Sequence, residues 1–247
     1  NVAIRTIQLY KGQAIYGVGG GITWDSTWES EYREVQQKAA VLYRQQPHFQ
    51  LITTGKISQK SLQFEEQHLE RLRKASRYFA YPFDPENLRQ KIETECQACD
   101  RSQDYCLRIS ISKSGEIEVS RQVLTPLSPI FYQANLCLQE ADLQQVFAYF
   151  KTTYRPHLTV GEQETIYHNA KGELLETSIG NLVLQIAGKL YTPPIRLGML
   201  PGIYRQHLLE SGQAEERVLT LADLDQAEAI YGCNAVRGLY QLTLEEK

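Results

Sequence analysis

The stretch from Tyr105 to Val119 limits this chain more than any other. Tyr105, Leu107, Ile109 and Ile111 alternate strictly, Ser114-Gly115 supplies a turn, and Ile117 and Val119 resume the pattern. A period of two is what one face of a half-buried strand requires, so the segment predicts a β-hairpin. Just upstream the period changes. Leu69, Leu72, Ser76 and Phe79 share a helical face that Pro82 should end, and Asp84-Pro85-Glu86 sets an N-cap with proline at the first helical position. Two helices running into a hairpin predict a mixed α/β fold.

The same signals divide the rest of the chain. Residues 1–45 read as strand (Val2, Ile4, Thr6), a Lys11-Gly12 turn, strand, the glycine run Gly17–Gly21, and a helix with Tyr32, Val35, Ala39 and Leu42 on one face. Residues 48–126 open with a short strand from Phe49 to Thr54 and a second after Gly55, ahead of the helices and hairpin. Residues 127–247 carry short strands at 134–138, 164–168, 181–186 and 189–191. Helices near 202–212 and 221–227 follow, then strands around Ile230 and at 239–244. The expected architecture is α/β (α+β) in two lobes behind a short N-terminal block.

Charge and apolar content exclude several classes. With 26 basic against 29 acidic residues the net charge is −3, which gives no basic field for nucleic acid or an anionic membrane surface. No apolar run approaches the ~18–20 residues that span a bilayer, and no charged n-region with an apolar h-region opens the chain. Five cysteines are an odd number for a disulfide framework and fit a reducing cytoplasm better. Cys96 and Cys99 have finger-like spacing, but no second pair follows, and both continue the apolar stripe of Leu88 and Ile92. They predict core residues, and no metal site is expected. The single methionine is Met199, and residue 1 is an asparagine inside an alternating stretch, so a longer parent polypeptide is expected.

Several motifs then follow in a fixed order. His68-Leu69-Glu70-Arg71-Leu72 lies on the first helix after the Phe49–Thr54 strand. Phe150-Lys151-Thr152-Thr153-Tyr154-Arg155 comes next, then Gly172-Glu173-Leu174-Leu175-Glu176 with Ser178, Gly180 and Asn181. Leu200-Pro201-Gly202-Ile203-Tyr204-Arg205 and Tyr231-Gly232-Cys233-Asn234-Ala235 complete the string. Over roughly residues 48–247 this order resembles the fold-type IV pyridoxal-phosphate enzymes, which include branched-chain and D-amino-acid aminotransferases and aminodeoxychorismate lyase. The segment after Arg155 is shorter than usual for that group, lacking most of a helix.

The resemblance implies pyridoxal 5′-phosphate as cofactor, a small-molecule substrate and a homodimer. Such an enzyme needs a lysine for the Schiff base and for moving protons, an acid for the pyridine nitrogen, and a dianion site for the phosphate. The matching residues are Lys151 for the first and Glu176 for the second. Arg71 and the amides of Ile203 and Tyr204 at a helix start, supported by Asn234, match the third. His68 is expected only to place its helix.

The N-terminal block carries a second resemblance. Asn1–Thr6, Tyr16-Gly17-Val18-Gly19-Gly20-Gly21-Ile22, Asp25-Ser26 and Glu31–Glu34 with Lys38-Ala39 resemble the C-terminal end of chorismate-utilising enzymes, closest to aminodeoxychorismate synthase component I. In that group the arginine matched by Arg5 grips a carboxylate, and the acids matched by Glu31 and Glu34 help hold Mg²⁺. Their i, i+3 spacing puts both on one helix face. The block is expected to be a remnant without synthase activity. Such a tail running into a fold-type IV enzyme is the layout of fused synthase–lyase proteins. It implies conversion of 4-amino-4-deoxychorismate to 4-aminobenzoate and pyruvate in folate synthesis. The same cofactor residues would serve an aminotransferase, and an inactive fragment of a fusion is a third reading.

Overall fold

A computed structural model describes residues 6–43, 47–139 and 146–245, and separates the chain into two units, Asn1–His48 and Phe49–Lys247. In the smaller unit β1 (Ile7–Tyr10) and β2 (Gln13–Tyr16) form a hairpin with Ile7 opposite Tyr16. Lys11 and Gly12 between them both have positive φ, 48° and 77°, the backbone that a two-residue hairpin turn needs. Val2 and Ile4, expected in the opening strand, lie outside the described residues, as does Arg5. Helix α1 (Trp28–Tyr43) begins where Thr27 Oγ1 accepts the Ser30 amide. None of its residues is buried; Tyr32 and Leu42, on the expected apolar face, are exposed.

The larger unit opens with β3 (Leu51–Ser58), β4 (Ser61–Leu62), α2 (Glu65–Phe79), α3 (Pro85–Gln97), β5 (Tyr105–Ile111) and β6 (Ile117–Val123). The strands order β4-β3-β5-β6, all antiparallel. The alternation works as expected. Leu107, Ile109 and Ile111 are buried with Leu69 and Leu72 of α2, Leu88, Ile92 and Cys96 of α3, and Cys99 just past the end of that helix. That apolar cluster is where both cysteines belong. Asp84 caps α3 by accepting the Glu86 and Asn87 amides. Helix α2 stops before Pro82, at Ala80, which takes a left-handed conformation.

One expectation fails here. The break at Gly55 does not exist: β3 runs through it without interruption. Glycine is required for packing instead. A Cβ at Gly55 would sit 2.6 Å from Nε2 of the buried His68 and 2.8 Å from Leu62. His68 in turn is tied to Thr53, with Nδ1 2.6 Å from Oγ1.

The second sheet contains β7 (Gln133–Leu138), β8 (Glu164–His168), β9 (Leu174–Thr177), β10 (Asn181–Ile186), β11 (Lys189–Thr192), β12 (Ala214–Glu216), β13 (Ala229–Asn234) and β14 (Gly238–Leu244). Three helices accompany it, α4 (Val146–Tyr149), α5 (Ile203–Glu210) and α6 (Leu221–Gln226). The order is β12-β11-β10-β13-β14-β7-β8-β9, and β9 pairs back onto β10 through Asn181 and Glu176. The sheet therefore closes on itself around Ile166, Leu174, Leu182, Leu184, Tyr240 and Leu242. β9 and β12 were not expected as strands. All of β9 is buried, so it shows no alternation, and β12 is three residues long.

The Gly55 packing generates a test. Gly55→Ala should destabilise the larger unit by about 1–3 kcal/mol, because the His68 ring is locked and cannot retreat. Chemical denaturation of the two proteins measures it, and an unchanged midpoint would mean that the ring has room.

Candidate active site

The segment after α4 is bonded to the first sheet. Ile52 N–H donates to the Lys151 carbonyl (3.0 Å), Thr153 N–H to the Gln50 carbonyl (3.0 Å), and Leu51 and Thr152 form an antiparallel bridge. Thr152 is fully buried, which makes Lys151 the outward residue of a fixed edge. Glu176 comes from the other sheet, on β9 where it meets β10. Asn181, its pairing partner, donates from Nδ2 to the Leu200 carbonyl (2.9 Å) and so holds the turn leading into α5. Gly202 caps that helix; a Cβ there would overlap Asn181 Oδ1.

Lys151, Glu176, Arg71, Ile203 and Asn234 all line one cavity of about 340 Å³ between the two sheets. Tyr204 does not line it. Its ring packs edge-on against Phe64 and beside His207. Asn234 spends its Oδ1 on the amides of Val236 (3.0 Å) and Arg237 (2.9 Å), which shapes the turn between β13 and β14. Arg71 donates from Nη2 to the Pro201 carbonyl (2.7 Å), beside the start of α5. The free amides of that first helical turn carry the positive end of the helix dipole.

The charges in the cavity perturb one another. Burial and the Arg155 and Arg71 guanidiniums pull the Lys151 amine down to about 7, with Glu176 opposing. Burial pushes the Glu176 carboxyl up to about 7, against the pull of Arg155, the Leu200 amide and Lys151. Glu176 Oε2 accepts the Leu200 amide (3.4 Å) and faces Arg155 Nη2 at 4.0 Å, while Oε1 has no partner. Burial and Arg155 also lower Arg71, to about 10. His68 is held neutral by burial, with its pKa near 3, and its Nε2 is unpartnered against Gly55. It positions α2, as expected.

Several lining residues escaped the sequence reading. Arg155 stands four residues after Lys151 and could have been singled out by that spacing. Arg108 and Cys106 alternate with the buried Leu107 and Ile109 along β5, so the period of two puts them on the face opposite the core. Ser178 stands in the ordered motifs without a role of its own, and Arg237 carries no signal. The region from 155 to 163 contains no helix, in keeping with its short length.

In the smaller unit Glu31 and Glu34 do share a face of α1. Glu31 accepts from Ser26 Oγ (2.7 Å), Glu34 pairs with Lys38 (2.5 Å), and a Cβ at Gly20 would lie 2.8 Å from Glu31. Among the described residues no group of three or more metal-ligating side chains occurs.

A fold of this kind with a lysine and a carboxylate across one cavity defines a class. The chain belongs to the amino-transferase class IV family, whose sequence profile matches residues 50–244. That family is pyridoxal-phosphate dependent. Residues 1–44 match the chorismate binding enzyme family. No curated protein matches the chain significantly. Among solved structures, a protein from Mesorhizobium loti assigned as an amino-acid aminotransferase is 26% identical with a TM-score of 0.70, over 80% of this chain and 100% of that one. One from Haemophilus somnus assigned as a 4-amino-4-deoxychorismate lyase is 23% identical with a TM-score of 0.63, over 79% and 100%. A hypothetical aminotransferase from Mycobacterium tuberculosis in its PLP-bound form is 19% identical with a TM-score of 0.66, over 79% and 81%. Among the described residues no helix is long and apolar enough to cross a membrane.

The lowered Lys151 pKa has a direct consequence. In cofactor-free protein its acetylation should rise about tenfold per pH unit up to about pH 7 and then level off, because only the neutral amine reacts. Ordinary surface lysines should keep rising toward their own pKa near 10. Mass spectrometry across a pH series measures both, and a Lys151 profile parallel to the surface lysines would refute the shift.

Proposed function

We propose that this chain is a pyridoxal-phosphate-dependent lyase that converts 4-amino-4-deoxychorismate to 4-aminobenzoate and pyruvate. The observation that carries the reading is the juxtaposition of two family matches, chorismate binding enzyme at 1–44 directly before class IV at 50–244. The Haemophilus somnus and Legionella pneumophila structures assigned as lyases share the fold. The domain layout follows the same reading: a remnant at 1–45, a small lobe at 48–126 and a cofactor-binding lobe at 127–247. A cytoplasmic homodimer is part of it.

The residues present fit the cofactor. An unpartnered buried carboxylate oxygen on Glu176 suits a ring N–H donor, an amine that is half neutral near pH 7 suits attack on an aldehyde, and Arg71 beside a helix start suits a phosphate dianion. Lys151 would hold the cofactor covalently, Glu176 its pyridine nitrogen, and Arg71 with the Ile203 and Tyr204 amides its phosphate, Asn234 supporting that wall. The cofactor supplies an electron sink for the carbon that loses a proton. Glu176 would keep that sink effective by holding negative charge at the ring nitrogen. Lys151 Nζ, freed as its amine when the substrate amine takes its place, would take the proton from the substrate carbon next to that amine. Cleavage of the adjacent ring carbon–oxygen ether bond would then release the side chain as enolpyruvate, which takes up a proton to become pyruvate, and would leave an aromatic ring. Arg155, facing Glu176, favours the ionised carboxylate that this arrangement needs.

An aminotransferase is the second reading, favoured by the Mesorhizobium loti structure. Incubation with aminodeoxychorismate should release pyruvate and 4-aminobenzoate in equal amounts without an added 2-oxo acid. Dependence of turnover on 2-oxoglutarate and an amino donor would instead establish transfer. Two variants check the roles. Lys151→Ala should abolish both turnover and the borohydride-reducible link to the cofactor. Glu176→Gln should keep that link yet slow single-turnover proton removal by about a hundredfold or more. A reducible adduct surviving in the lysine variant, or wild-type turnover in the glutamine one, would overturn the assignment concerned.

A further inference from the structure

The cavity holds more positive charge than the cofactor roles use. Among the described residues its lining cations are Arg71, Arg108, Lys151, Arg155 and Arg237, against one carboxylate, Glu176. Arg155 faces that carboxylate, and Arg71 sits by the start of α5. Arg108 and Arg237 are left without an anionic partner among the described residues.

Both are held in place by the fold. Arg108 is on β5, opposite Thr54 of β3 and Ser120 of β6, on the face of the first sheet turned away from its core. Thr54, Cys106 and Gln122 on that face also line the cavity. Arg237 comes from the other sheet, in the turn after β13. Its amide donates to Asn234 Oδ1 (2.9 Å), and its Nη2 donates to the Thr125 carbonyl (3.0 Å). That tether leaves further guanidinium donors free while fixing the group's direction. Cys106 shows that the two act on one locality. Burial pushes its thiol up, and Arg237, Lys151 and Arg108 together pull against that rise.

Uncompensated guanidiniums in one cavity repel one another, which costs stability unless a bound anion offsets it. We infer that Arg237, with Arg108 across the cavity, is a carboxylate-recognition pair that makes this site selective for a dicarboxylate. The inference rests on the lyase reading, since aminodeoxychorismate carries two carboxylates, and it adds the residues that recognise one of them.

The test uses cofactor-loaded protein and two ligands without an amine, so that neither reacts: chorismate, a dicarboxylate, and 4-hydroxybenzoate, a monocarboxylate. Calorimetry gives each affinity for wild type, Arg237→Gln and Arg237→Lys, with cofactor content confirming an intact site. Wild type should prefer chorismate. Arg237→Gln should weaken chorismate by on the order of tenfold to a hundredfold while changing 4-hydroxybenzoate little, and Arg237→Lys should retain part of the preference. If Arg237→Gln leaves chorismate affinity unchanged, or lowers both ligands in proportion, the recognition role is wrong and the lyase reading stands. If wild type shows no preference for chorismate, the recognition role is wrong, while the lyase reading is decided separately by release of pyruvate and 4-aminobenzoate.

Discussion

The site depends on one electrostatic arrangement: a buried carboxylate and an amine that share the same guanidinium neighbour. Arg155 faces Glu176 at 4.0 Å and presses on Lys151 at the same time. Its charge favours the ionised form of the acid and the neutral form of the amine. Without it, the carboxyl would hold its proton more tightly and the amine would charge more readily. With it, both titrate near 7, where a small change in surroundings decides which one carries charge. Thr152 and Asn181 are buried beside them, and the Asn181 bond to Leu200 holds the turn before α5 in place.

The two sheets divide the labour. The first spends one face on a helix-covered core of Leu107, Ile109 and Ile111, which frees its other face, with Arg108, Cys106 and Thr54, for the cavity. The second closes on itself, and its closure point is where Glu176 meets Asn181. A closed sheet has no loose edge there: Glu176 pairs with Asn181 of β10, while its neighbours Leu174 and Thr177 pair with β8. Precision comes from strand register, and chemistry from side chains at its ends.

Much of this was legible in the sequence. The β5–β6 alternation and the Asp84-Pro85 cap are local signals, and both elements formed as expected. Cys96 and Cys99 fell in the core because helical spacing already put them there. Gly55 misled, since a glycine inside a strand pattern looks the same whether it breaks the strand or admits a ring. Strand β9 was invisible because a segment buried on every side has no periodicity to read. The ordered motifs pointed to Lys151, Glu176, Arg71, Ile203 and Asn234, which line one cavity. They could not show that Tyr204 turns its ring toward Phe64, nor that Arg237 arrives from a distant turn, because those facts depend on tertiary geometry.

The pairing of residues 151–153 with β3 has a mechanical meaning. Through the bonds from Ile52 to Lys151 and from Thr153 to Gln50, the lysine travels with the first sheet, while Glu176 is anchored in the second. The gap between amine and carboxylate is therefore a gauge of how the two sheets sit against each other. A displacement between the sheets would alter the share of each group's shift that comes from the other, beside the larger effects of burial and Arg155. A ligand wedged between Arg108 on one sheet and Arg237 on the other would set that gauge, so occupancy and basicity become two readings of a single coordinate.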